Sequence, residues 1–330
     1  MSTPIKLNVC MITYNHEHFI AQSLDSILKQ KTNFPFNIII GEDFSTDNTR
    51  QICLDYEKKF PDKIKVLKRD KNVGMMPNLI EVFSHCTDKY IAFCEGDDYW
   101  IDPLKLQKQV DFLEKNTDYA ICCHDYWFMK GNKKYNTKKE QTPEDSDLTY
   151  LLRKGNYIGT LTVVYRNHPD FYKHMQQFVM APFGDYVMHT GAAMHGKIKY
   201  MDEKMAVYRV HGGGMWSTTS TEKGVLKNLA LLEMIYHYMP ASRKDDLKIQ
   251  MIGWLDMIGR IEELAGVAKS QELKDMLQGM DMPAFIFDYV KFMISERSHH
   301  SYYTRNVPLP VLLRAVGSKL AKKITAKIPS

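Results

Sequence analysis

The chain has 330 residues, 44% hydrophobic and 25% charged, with a formal net charge of +5. That is enough chain for one large or two moderate domains with sizeable cores, and the balance is that of a soluble globular protein. Between Arg305 and Ser330 lie Arg305, Arg314, Lys319, Lys322, Lys323 and Lys327 with no acid among them; these exceed the whole net charge, so the body is near neutral and a nucleic-acid partner is excluded for it.

The six cysteines (Cys10, Cys53, Cys86, Cys94, Cys122, Cys123) form no CxxC pair and mostly sit in apolar runs. They are expected to be small buried hydrophobes in a reducing compartment, neither a disulfide frame nor a zinc site. The first residues lack the apolar core of a signal peptide, and no stretch reaches the roughly 18–20 apolar residues of a membrane-spanning helix. A cytoplasmic location is therefore expected.

In chain order, Leu7–Thr13 is expected to be a buried strand, followed from His18 by an amphipathic helix carrying Phe19, Ile20, Leu24, Ile27 and Leu28. Phe36–Gly41 is a second strand, ending in Glu42-Asp43. Ser45-Thr46-Asp47 then opens a helix with cap-type residues. A third strand covers Lys63–Lys68, and a helix runs from about Met76 to Ser84. A fourth strand, Tyr90–Cys94, stops in Glu95-Gly96-Asp97-Asp98. Strands alternating with helices of this length predict an α/β fold with a mostly parallel, doubly wound sheet.

After Trp100 a helix through Leu104, Leu106, Val110, Phe112 and Leu113 precedes a strand over Tyr119–Phe128 and a basic turn, Lys130–Lys139, expected to be a solvated hairpin. Leu161–Tyr165 is read as a strand and Asp170–Met180 as a helix. Gly184-Asp185-Tyr186 heads another helix, and Ile198–Met201 with Met205–Val210 makes a strand pair leading into His211-Gly212-Gly213-Gly214-Met215-Trp216. Beyond about Ser220 only helical periodicity remains, at Leu226–Met239, Leu247–Leu264, Glu272–Met280 and Phe285–Ile294. The last segment, residues 311–328, sets Leu312, Leu313, Val316, Leu320 and Ile324 against a lysine face. Such a helix can lie on an anionic membrane surface or dock on the helical region.

Three acids in four positions cannot be brought together at a strand end without several kcal/mol of cost unless a cation sits among them. A divalent cation with oxygen ligands, accompanied by a diphosphate, is the natural occupant. One Asp would suffice to cap the helix near Pro103, which leaves the others unexplained. Asp43 ends the second strand near the end of the first, where it could accept from a pyrimidine imide while Tyr14 stacks on the ring; it could equally cap the helix near Ser45. Asp185 opens a helix, where ionised carboxylates are favoured. His211, followed by three glycines, is a candidate ligand for a transition-type ion, although a lone histidine is more often structural. Spacing alone does not join these sites.

Residues 1–220 resemble a family 2 glycosyltransferase of the bacterial surface-polysaccharide type. The resemblance rests on Ile12-Thr13-Tyr14-Asn15, Gly41-Glu42-Asp43-Phe44-Ser45-Thr46-Asp47, Asn72-Val73-Gly74 with Asn78, Glu95-Gly96-Asp97-Asp98, and Tyr208-Arg209-Val210-His211 with the glycines after it. It implies a GT-A (Rossmann-like) domain over residues 1–219, with a nucleotide-binding half to about 115 and an acceptor half from 116; it fades beyond about Ser220, where the helical periodicity alone predicts an all-helical region over 220–330. It also implies that Thr13, Tyr14, Asp43 and Asn78 hold the nucleotide, and that Asp97 contacts the ribose or the metal. Asp98 and His211 would bind the metal (Mn or Mg), and Asp185 would be the general base of an inverting transfer. Glu42 and Glu95 stand where Asp is commoner in the family. The expected partners are a nucleotide-sugar donor, UDP-linked by preference, and a saccharide or lipid-linked saccharide acceptor. A sugar nucleotidyltransferase is the lesser enzyme alternative, because Tyr14-Asn15-His16-Glu17-His18 replaces the glycine-rich basic loop of such enzymes. A protein that binds donor without turning it over is the non-enzymatic one.

Overall fold

The computed structural model describes residues 6–136, 142–213 and 221–251. Four short runs dense in Ile, Val, Leu and Phe become neighbouring parallel strands, because runs buried on both faces need no polar alternation. These are β1 (Leu7–Thr13), β2 (Phe36–Glu42), β3 (Ile64–Lys68) and β4 (Tyr90–Phe93). β1 is central, pairing in register with β2 from Leu7↔Phe36 to Thr13↔Glu42, and with β4 from Leu7↔Tyr90 to Cys10↔Phe93. Right-handed crossover geometry assigns the intervening helices to the sheet faces: α1 (Ile20–Leu28), α2 (Thr49–Lys59) and α3 (Met75–His85).

The remaining elements are β5 (Tyr99–Trp100), α4 (Lys105–Lys115), β6 (Tyr119–Lys130), β7 (Lys133–Tyr135), β8 (Asp145–Ser146), α5 (Leu148–Lys154), β9 (Val164–Arg166), α6 (Pro169–Gln176), α7 (Asp185–Ala193), β10 (Lys197–Val210) and α8 (Thr221–Tyr238). The sheet order is β3-β2-β1-β4-β9-β6-β10-β5, with β7 on β6 and β8 on β10. β9 runs antiparallel to both β4 and β6, so the sheet is mixed: a parallel nucleotide-type half joined to a second half through one reversed strand.

Several elements differ from expectation. Ile198–Met201 and Met205–Val210 are not a pair but one 14-residue strand, β10, both halves of which run parallel to β6 with register shifts near Met201–Lys204. Asp202-Glu203-Lys204 has turn composition, yet here it is a bulge whose lysine reaches Asp125 across the ladder. The strand expected at Leu161–Tyr165 begins as a 3₁₀ turn over Thr160–Thr162, and only Val164–Arg166 is extended. Thr162 closes that turn by donating its N–H to the Gly159 carbonyl at 2.9 Å. The α6 helix stops at Gln176, not Met180, and β5 and α5 carried too little periodicity to be foreseen. The Ser45–Asp47 stretch precedes α2 and ties down the loop after β1: Asp47 accepts from the Glu17 N–H, and the Thr46 N–H donates to Asn15 Oδ1.

Two compact units divide the chain, Met1–Thr218 and Thr219–Ser330. The sheet lies in the first. In the second, α8 and residues 241–251 are helical. The helices expected over 272–280 and 285–294, the basic helix at 311–328, most of 247–264, part of the Lys130–Lys139 turn and the stretch from Gly214 to Trp216 lie outside the described residues. Among the described residues no helix is long and apolar enough to cross a membrane.

Candidate active site

The carboxyl ends of β1, β2 and β4 meet α7 and the end of β10 around a cleft of about 360 Å³, lined among others by Tyr14, Asp43, Glu95, Asp97, Asp185 and Tyr208. This is where open α/β sheets accept ligands, since strands change direction of crossover there and leave a crevice.

At the end of β1, Tyr14 is 42% exposed, with its ring free to stack on a flat ligand. Asn15 takes a left-handed φ of 55°, which Asn tolerates, and Phe44 takes 60°, where a bulky residue is strained. Both turns are held by the bonds from Ser45, Thr46 and Asp47 across to residues 15–17. Asp43 is buried and uses both carboxylate oxygens on the next loop, accepting from the Val73 N–H at 2.8 Å and the Gly74 N–H at 2.9 Å. Burial raises its pKa despite those bonds. Asp43 is thus a strap between loops that also faces the cleft. Asn78 is placed similarly: its amide donates to the Gly41 carbonyl at 2.9 Å and its oxygen accepts from Arg69 at 2.9 Å.

β4 then delivers the acids. Glu95, Asp97 and Asp98 each bring a carboxylate oxygen within 4.8 Å of the others. Burial, with the charges of Asp97 and Asp185, pushes Glu95 up to about 8. Asp98 is only 1% exposed; one oxygen accepts from the Arg209 N–H at 2.9 Å, while the other is buried and finds no hydrogen-bond partner among the described residues. Burial and the two neighbouring carboxylates drive its pKa well up. For Asp97 burial acts upward too, but the bond from His211 at 3.0 Å and the nearby His16 outweigh it and hold the carboxyl below its usual value. An orphaned buried carboxylate oxygen beside two more acids fits a hard divalent cation, since such an ion supplies the missing positive charge. Asp97 and His211, whose side chains are each 18% exposed, would supply the accessible part of that donor set; Asp97 lines the cleft with His211 bonded behind it, whereas Asp98 is drawn inward by β10.

His16 joins this group. Its Nε2 lies 3.7 Å from Asp97 Oδ2, and its ring stands 6.1 Å from that of His211. Burial lowers its pKa, with Asp97 opposing. Nothing in its sequence context pointed to the site, because only the turn after β1 brings it over the end of β4. Arg209 was missed as a fixing group: its guanidinium donates to the Asp97 carbonyl and to Gln22, so β10, α1 and the acid turn are locked together.

Asp185 opens α7 with one oxygen accepting from the Tyr186 N–H at 2.7 Å and the other from Asn156 at 3.0 Å. Burial raises its pKa although both bonds favour the ionised form. The carboxylate is therefore oriented from two sides, still faces the cleft, and is a stronger base than a free aspartate.

Residues 8–186 match the family model described as Glycosyl transferase family 2. The chain belongs to that family. An uncharacterised protein of Mycobacterium tuberculosis is 36% identical over 219 residues, covering 66% of this chain; the chain spans 62% of that relative's length. A protein of Escherichia coli named UDP-Glc:alpha-D-GlcNAc-diphosphoundecaprenol beta-1,3-glucosyltransferase WfgD is 31% identical over 158 residues, 48% of this chain and 59% of that one. Among solved structures, TarS residues 1–349 of S. aureus in complex with UDP shares the fold with a TM-score of 0.61 at 18% identity, covering 97% of this chain and 86% of that one. The GT-A family fold accounts for the sheet described above, and the mixed β4-β9-β6 junction sets the acid turn between its two halves.

Proposed function

We propose that this family 2 member is an inverting, divalent-cation-dependent glycosyltransferase that moves a sugar from a nucleotide-diphosphate donor to a hydroxyl of a saccharide. The carrying observation is that an aromatic face and a carboxylate for a base, a cluster of acids with an orphaned oxygen, and an oriented basic carboxylate line or border a single cleft. In this reading Tyr14 stacks on the base and Asp43, with Thr13 and Asn78 behind it, fixes the loops that frame it. Asp97 and His211, backed by Asp98, would hold the cation; when bound it supplies positive charge against the departing diphosphate, a contribution of several kcal/mol in such sites.

Asp185 would accept the acceptor hydroxyl's proton as that oxygen attacks the anomeric carbon. The bond from that carbon to the diphosphate breaks, its electron pair leaves with the nucleotide, and attack from the opposite face inverts the centre. One base suffices, since no carboxylate need bond to the sugar. The walls of the cleft, Leu79, Phe93, Phe183 and Met188 among them, keep bulk water off the reacting centre.

UDP is the favoured nucleotide: TarS is bound to UDP, and the E. coli relative is named for UDP-Glc. That relative's name also carries a diphosphoundecaprenol acceptor, which supports a lipid-linked saccharide acceptor here, in surface-polysaccharide assembly at the inner face of the membrane. A contact of residues 311–328 with anionic lipid would suit that acceptor, and liposome co-sedimentation with and without residues 311–330 checks it.

The test uses a panel of UDP-sugars with Mn²⁺, reading released UDP by mass spectrometry. One donor should be consumed by the native protein. Asp185→Asn should bind that donor with unchanged affinity by calorimetry, yet turn it over about 10²–10⁴-fold more slowly. Full turnover by this variant removes Asp185 from the base role.

A further inference from the structure

We propose that His16 is a further ligand of the cation site, offering Nε2 beside Asp97 and His211, and that this donor set makes the site prefer first-row transition ions to Mg²⁺. This rests on the cation-dependent reading above and deepens it.

The geometry presents His16 as a built ligand. Its backbone is secured without help from the ring: the N–H donates to Thr49 Oγ1 at 2.7 Å, and the carbonyl accepts from Phe19 at 2.8 Å and Ile20 at 2.9 Å. The ring is oriented separately, with Nδ1 lying 3.2 Å from the Thr13 hydroxyl. A ring that gives its Nδ1–H to that hydroxyl carries its lone pair on Nε2, and such a bond on the far nitrogen is the arrangement by which proteins aim metal-binding histidines. Nε2 then faces Asp97 Oδ2 at 3.7 Å, too far for a hydrogen bond. His211 Nε2 reaches the same oxygen at 3.0 Å, and the three donor atoms lie within 4.8 Å of one another.

Two further observations point to a ligand. A Cβ at residue 96 would collide with Thr13 Oγ1 and come within 2.9 Å of His16 Nδ1, so Gly96 is what lets the Thr13–His16 pair sit against the acid turn. The buried Asp98 oxygen without a partner belongs to the acid group that shares Asp97 with the two histidines.

The chemistry follows from the donors. Mg²⁺ takes oxygen ligands and sheds its waters reluctantly. Two imidazoles and one carboxylate hold first-row transition ions while leaving positions open for other ligands. Here those positions would go to the diphosphate oxygens.

The experiment uses the full chain with UDP and Mn²⁺. Pulsed electron paramagnetic resonance counts the nitrogen couplings to bound Mn²⁺, and calorimetry gives Mn²⁺ and Mg²⁺ affinities for the native protein, His16→Ala and His16→Gln. Two coupled imidazole nitrogens are expected in the native protein and one in each variant. Mn²⁺ affinity should fall by about tenfold or more, the loss typical when a metal site is stripped of a supporting group. Mg²⁺ affinity should move much less, so the preference narrows. Circular dichroism should be unchanged, since the backbone bonds of residue 16 remain. A single coupled nitrogen in the native protein, or variants that keep both the couplings and the Mn²⁺ preference, overturns the role of His16 while leaving Asp97 and His211 as the site. Absence of Mn²⁺ binding by the native protein overturns the cation-dependent reading and this one with it.

Discussion

Asp185 carries its proton to a higher pH than a free aspartate, because burial outweighs the bonds from Tyr186 and Asn156. In the proposed role of Asp185 as general base, only the ionised form can accept the acceptor's proton. The acid limb of kcat/KM should therefore rise with pH through a midpoint above the ordinary aspartate value, which a pH–rate profile checks. A second titrating residue acts on stability alone. Lys105 is fully buried, its ammonium 2.9 Å from Gln109 Oε1 and 4.1 Å over the Trp100 ring, and burial pulls it down to about 7. Between that value and the ordinary 10.5 the unfolded chain binds a proton that the folded chain does not, so this residue's contribution to stability rises with pH across the window. Lys105→Met removes this pH dependence but leaves the buried Gln109 Oε1 without the amine that faces it, at a cost of about 1–3 kcal/mol. Relative to the native protein the variant should therefore fare best below pH 7 and worst above about pH 10.5, as urea unfolding at several pH values would show.

At the scale of elements, the site depends on how closely α3 lies on β2. Gly41 in β2 carries no side chain because Asn78 and Val82 of α3 occupy its place: a Cβ would collide with Asn78 Oδ1 and lie 2.5 Å from Val82 Cγ2. Gly41→Ala should therefore cost about 1–3 kcal/mol, the usual price of overpacking, measured by denaturant unfolding. It should also raise the donor KM, because Asn78 and the Asp43 strap share that junction. The strand ends Thr13, Asp43 and Glu95 were legible as ends because apolar runs stop there. The continuity of β10 was not legible, since a bulge and a turn have the same polar composition and only the shared partner β6 distinguishes them.

Across the whole molecule, every site residue named above precedes Gly214, inside the unit Met1–Thr218. A chain ending at Thr218 should therefore unfold cooperatively and bind UDP with the native stoichiometry by calorimetry; loss of binding would assign part of the donor site to residues 219–330. Local composition determined that β1–β4 exist, that they lie side by side in parallel, and that Tyr14, Asp43, Asp97 and Asp185 stand at element ends, because burial on two faces and capping chemistry leave their mark within a few residues. Only the tertiary structure decided that Asp43 spends its oxygens on Val73 and Gly74, that Asp98 turns inward to Arg209 while Asp97 faces the cleft, and that His16 stands beside Asp97. Those outcomes depend on which loops meet across the sheet edge, and a contact between residues 81 or 114 positions apart leaves no periodic trace in the chain.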